Sequence, residues 1–144
     1  MSSIPHAAFH EAGRILAFSI SALLLDAGAA APEPATYQAG ADADGVQRVA
    51  LVGGSYFFRP EHIVAQADRP LEITVSLQPG LIPHRFVLEA PDGQKLANVT
   101  LGAEARTVRL TLKAGDYVFY CPNQLLQFKS HRERGMAGVL QVRE

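Results

Sequence analysis

Downstream of residue 45 the chain is built from short runs in which apolar and polar positions alternate, the period of a strand with one buried face. Leu71 to Leu77 (LEITVSL) alternates strictly, Thr107 to Leu112 (TVRLTL) does so again, and Val46 to Val52 alternates until Gly53-Gly54 ends the run. Tyr56 to Phe58 and His62 to Ala65 flank Arg59-Pro60, where a proline interrupts the ladder. His84 to Leu88 lies between the turn signals Pro79-Gly80 and Pro91-Asp92-Gly93. Ala114-Gly115 turns the chain into a dense aromatic strand, Asp116 to Tyr120, and Ala137 to Val142 closes the domain. Nothing in this region has a convincing helical period; Asn123 to Ser130 has room for a turn or two. Short strands with turn signals every eight to twelve residues predict an all-β fold, an antiparallel Greek-key sandwich of about seven to eight strands.

The first part of the chain reads differently. Ile15 to Leu25 is an apolar run preceded by Arg14 and followed by Ala27-Gly28-Ala29. It is too short for the roughly 20 residues of a membrane helix, and its flanks match an export signal with cleavage after Ala29. Residues 30–45, rich in Ala, Pro, Gly and Asp, read as a flexible lead-in. Residues 46–144 then form one domain. At 144 residues and 48% hydrophobic content the chain has ample material for its core. Losing Met1 to Ala29 removes Arg14 against Glu11 and Asp26, which leaves equal numbers of basic and acidic side chains. Such a balance gives no reason to expect nucleic acid or an anionic membrane as partner.

Cys121 is the sole cysteine, so no internal disulfide can form. In an exported chain an odd cysteine is free, shared between chains or bound to a metal. Three further residues give the metal reading its content. Nine residues separate Cys121 from His131, four separate His131 from Met136, and His84 opens an earlier strand. A thiolate, two imidazoles and a thioether are the donor set that suits a copper ion cycling between two oxidation states. Taken singly, each residue has an ordinary role: a buried cysteine is a small hydrophobe, His131 a solvated loop residue, Met136 a core plug. The four together, in order and at strand ends, point to one copper ion per chain. Zinc would gain little from a thioether. A nucleophilic cysteine would want a helix N-terminus or a partnered histidine, and no acid pair or Ser-His-Asp order marks an enzyme. His62 lacks a soft partner nearby, and His6 and His10 fall in the leader.

Tyr117-Val118-Phe119-Tyr120-Cys121, followed by His131 and by Gly135-Met136-Ala137-Gly138 before a closing strand, resembles the copper loop of the cupredoxins, the plastocyanin and azurin type of blue copper protein. Pro83-His84-x-Phe86 strengthens the likeness. The resemblance implies His84, Cys121 and His131 as equatorial copper ligands, with His131 more exposed and His84 deeper. Met136 would be the weak axial ligand, with Gln124 or Gln127 as alternatives. Two features depart from the family pattern. Nine residues (PNQLLQFKS) separate the cysteine from its histidine where a few are usual, and Arg85 stands where an asparagine commonly ties the two ligand loops together.

The expectation is therefore an exported, most naturally periplasmic, mononuclear type 1 copper protein that carries one electron at a time and is not an enzyme. Its partner would be a redox protein such as a cytochrome or an oxidase, with no stable membrane insertion after cleavage. The alternative is a periplasmic chaperone or resistance factor that passes copper to a trafficking protein without redox turnover. A third reading is an accessory module of an oxidase or reductase, docked by Leu125-Leu126-Gln127-Phe128.

Overall fold

The computed structural model describes residues 36–144; the predicted leader lies outside them. Ten strands follow in chain order: β1 (Thr36–Gln38), β2 (Gln47–Gly54), β3 (Phe57–Arg59), β4 (His62–Gln66), β5 (Pro70–Leu77), β6 (His84–Glu89), β7 (Lys95–Leu101), β8 (Arg106–Thr111), β9 (Gly115–Tyr120) and β10 (Ala137–Arg143). They form a six-stranded sheet, β1-β4-β10-β9-β6-β7, and a four-stranded sheet, β3-β2-β5-β8. No helix occurs among the described residues, and none there is long and apolar enough to cross a membrane.

The alternation read from the sequence becomes the inner faces of the two sheets. Val49 and Leu51 of β2 and Leu71, Ile73 and Val75 of β5 point inward from the smaller sheet. Phe86 and Leu88 of β6, Tyr117 and Phe119 of β9 and Leu140 and Val142 of β10 meet them from the larger one. Phe58, Phe86 and Phe119 form a buried triad, with ring centroids about 6 Å apart in each pair. Gly138 leaves the space for it: a Cβ there would run into the Phe119 ring and the Glu61 carbonyl. At the other end of β2, the buried Gln47 amide spans the sheets, donating to the Gln66 carbonyl at 3.0 Å and accepting from the Gln66 N–H at 2.6 Å. Both polar groups of this buried side chain are thereby satisfied.

The architecture corrects the expected strand count and the purely antiparallel pairing. β1 with β4, β4 with β10 and β2 with β5 are parallel. The cause is the path of the chain, which leaves one sheet for the other and returns running in the same direction; hairpin reasoning sees only neighbours in sequence. β1 lies inside the segment read as a lead-in. Its three residues are exposed, so pairing rather than burial holds them, and no apolar pattern announces them. β7 is an edge strand with Ala97-Asn98 at its centre, and Gly53-Gly54 belong to β2 instead of ending it.

Candidate metal centre

The inward rows of β6 and β9 each run one residue further toward the same end of the sandwich. On β6 the row Leu88, Phe86 ends in His84; on β9 the row Tyr117, Phe119 ends in Cys121. The two strands pair antiparallel through Val87↔Tyr120 and Leu88↔Phe119, which sets the thiol beside the start of β6. The loop after Cys121 then folds back. The His131 N–H donates to the Asn123 carbonyl at 2.8 Å, the Met136 N–H to the His131 carbonyl at 2.9 Å, and the Cys121 N–H to the Met136 carbonyl at 3.0 Å. This chain of backbone bonds returns Met136 to the end of β9, next to Cys121, before β10 begins.

Three of the four expected ligands converge. His84 Nδ1 and His131 Nδ1 are 3.1 Å apart, and Cys121 Sγ is 3.4 Å from His131 Nδ1 and 4.0 Å from His84 Nδ1. Nitrogens about 2.0 Å and a sulfur about 2.3 Å from one first-row ion would show separations of this size. Met136 is fully buried in the same core cluster. Gln124 and Gln127 are exposed, and the Gln124 side-chain amide donates to the Phe128 carbonyl at 2.7 Å.

Two expectations about the surroundings are revised. His131 is not the more exposed histidine: it is 5% exposed and His84 6%. The Tyr56 ring meets His131 edge-on at 5.1 Å. One edge of His131 still lines a surface cleft of about 390 Å³, together with Leu81, Ile82, Pro83 and Leu125. The tie between the ligand loops, which Arg85 cannot make in asparagine's way, comes from the opposite side. The Asn123 side-chain amide donates to the Pro83 carbonyl at 2.8 Å, directly before His84. Arg85 contributes through its backbone, its N–H donating to Cys121 Sγ at 3.3 Å. Tyr56 and Asn123 were not singled out by the sequence. Asn123, two residues past the cysteine, carried a faint positional signal; Tyr56, read there as the start of a strand, carried none.

Leu125, Leu126 and Phe128 do not pack down over the site. They are 68%, 82% and 61% exposed, and with Leu81 and Ile82 they give the metal end an apolar rim.

Burial sets the protonation of the centre. It holds both imidazoles below their ordinary value of 6.5, with His131 acting on His84 and Arg134 on His131 as the smaller causes. Burial likewise pushes the Cys121 thiol above its ordinary value of 9.0, opposed by the backbone N–H groups of Arg85 and Asn123. The linkage runs in two directions. An unfolded chain binds more protons at the histidines, so the metal-free protein loses stability as pH falls through about 6.5. It binds fewer at the thiol, so stability falls again as pH rises through about 9.0. Urea midpoints of the metal-free protein are expected to decline on both sides of that window. The acid limb should flatten when both histidines are replaced by glutamine, and an unchanged acid limb would refute the assignment.

No protein-family model matches the sequence, and no curated protein matches it. Solved structures match the fold. The metal-binding domain of a Cu(I)-exporting P-type ATPase from Streptococcus pneumoniae, with Cu(I), superposes with a TM-score of 0.58 at 18% identity, covering 78% of this chain and all of that one. Auracyanin from Roseiflexus castenholzii gives 0.54 at 17% identity over 67% and 97% of the two chains. Rusticyanin from Thiobacillus ferrooxidans gives 0.52 at 14% identity over 73% and 86%. The chain has the cupredoxin fold.

Proposed function

We propose that this protein is an exported mononuclear copper protein that carries single electrons, with His84, Cys121, His131 and Met136 as the copper ligands. The observation that carries the reading is the convergence of two imidazole nitrogens and one thiol sulfur, all buried, at the end of a rigid sandwich. Copper, when bound, supplies one-electron exchange between its two oxidation states. The chain's contribution is to hold the donors still. His84 and Cys121 are extensions of paired strands, and His131 and Met136 are locked to them by backbone hydrogen bonds. Donors that move little between oxidation states keep the barrier to transfer low. Burial keeps the donors out of bulk water, and the apolar rim offers a partner redox protein a surface next to His131.

Copper delivery without redox turnover is the second reading, and the likeness to the copper domain of an exporting ATPase is what favours it. A delivery protein needs an ion that exchanges readily, whereas the donors here are almost wholly enclosed. The test is the visible spectrum after adding Cu(II), followed by the rate of copper loss to excess chelator. An intense thiolate charge-transfer band with slow loss supports the electron carrier. Weak colour with rapid loss would overturn it in favour of delivery.

Met136 should tune the site more than hold the ion. Leucine conserves its buried volume but donates nothing to the metal. Met136→Leu is expected to keep copper and raise the reduction potential, because a lost donor disfavours Cu(II) more than Cu(I). Cyclic voltammetry checks this, and an unchanged potential would assign the axial position to another group.

A further inference from the structure

Residues 132–135, the last turn before Met136, are exposed and carry two arginines. Neither forms an ion pair among the described residues. Each instead lies over an aromatic ring. The Arg132 guanidinium is 4.2 Å from the centre of the Tyr120 ring, on β9 of the larger sheet. The Arg134 guanidinium is 4.2 Å from the centre of the Tyr56 ring, in the β2–β3 turn of the smaller sheet. The loop that carries His131 is thus fastened to both sheets.

The Tyr56 attachment reaches the metal centre itself. Its ring has Arg134 on its face and also meets His131 edge-on, with an interplanar angle of 84°. Guanidinium, phenol and imidazole form one continuous chain of contacts, face-on at the first junction and edge-on at the second. Tyr56 also holds a backbone φ of 65°, a left-handed conformation that an aromatic residue seldom adopts and that persists where surrounding contacts enforce it. Gly135, at φ 106°, passes close to the Tyr56 carbonyl in a conformation that favours glycine.

We propose that Tyr56 and Arg134 form a latch on His131 that sets how fast the bound ion can leave. They are positioning residues: both act by keeping the imidazole from swinging outward with its loop. The proposal rests on the copper reading above and adds the control of exchange at that site. It also explains how a loop with nine residues between its cysteine and histidine can keep that histidine in place. Steering of an acidic partner by Arg134 is the competing account, and it needs only the charge.

The test uses the full chain with two readouts. Copper-loaded protein is mixed with excess EDTA, and the decay of the thiolate band is followed. Arg134→Gln and Tyr56→Ala are each expected to release copper about two- to fivefold faster, the scale of a cation–π contact at an exposed site. The double variant should be no faster than the quicker single one, because both break the same chain of contacts. Tyr56→Phe keeps the ring and should match the parent, while Arg134→Lys, which keeps the charge but not the planar stack, should release faster than the parent. In the metal-free protein, amide hydrogen exchange at His131 should accelerate in Arg134→Gln and Tyr56→Ala. Unchanged exchange at that amide overturns the latch, as does an Arg134→Lys variant identical to the parent in copper release. A parent protein without a thiolate band refutes the copper reading instead, and the amide measurement still judges the latch.

Discussion

Cys121→Ser is expected to abolish the intense thiolate band and with it tight copper binding. A serine hydroxyl is neither soft nor ionised near neutral pH, and no second thiol exists in the chain to take its place. The substitution is nearly isosteric at a position with no solvent exposure, so the fold should persist and the loss can be read as chemistry. The Arg85 N–H that donates to Sγ can donate to the serine oxygen in its stead. Circular dichroism should remain that of the parent while equilibrium titration with Cu(II) shows affinity lowered by several orders of magnitude. A serine variant that keeps the band would remove Cys121 from the site.

Phe119→Ala should have the largest effect on stability. Phe119 is fully buried, packs against Phe58 and Phe86, and occupies the space that Gly138 leaves open. Truncating a core phenylalanine costs about 3–5 kcal/mol, against a total of about 5–15 kcal/mol for a typical domain. The variant should therefore unfold at much lower urea concentration, and because Phe119 sits two residues before Cys121 on the same face, residual folded protein should bind copper more loosely. A loss under about 1 kcal/mol by urea denaturation would mean that the phenylalanine triad is not the keystone of this core.

What could be read from the chain and what could not follows from the range of each interaction. β5 and β8 declare themselves because burial on one face writes a period of two into adjacent residues. The four proposed ligands were legible for a related reason: their side-chain chemistry is unusual, and three of them follow one another on a single loop. β7 was missed because an exposed edge strand is held by backbone bonds that leave little trace in side-chain type. The turn at Pro91-Asp92-Gly93 was its one announcement. The parallel pairing of β4 with β10 joins residues 62–66 to 139–143, and no local pattern encodes so distant a register. The equal burial of the two histidines escaped for the same reason, since Tyr56 reaches His131 from a turn some seventy-five positions away in sequence. The rings beneath Arg132 and Arg134 left no local signal either, because a sequence shows a charge but not what it packs against.

The strands that supply the proposed ligands are neighbours. His84 begins β6, Cys121 follows β9, Met136 precedes β10, and those three strands stand side by side in one sheet, with the smaller sheet lending only its turn at Tyr56. A chain in which this half has paired, while the other sheet is still loose, already holds a thiol and two imidazoles within reach of one ion. Metal that binds such a half-built species stabilises the native state by less than native-only binding would give, since affinity for a non-native form cancels part of the gain. In return it lowers the loop-closure cost of joining segments nearly forty residues apart, a cost that slows sandwiches dominated by distant pairings. Copper present while the chain folds would then act as an assembly template for β6, β9 and β10 before it serves any other purpose.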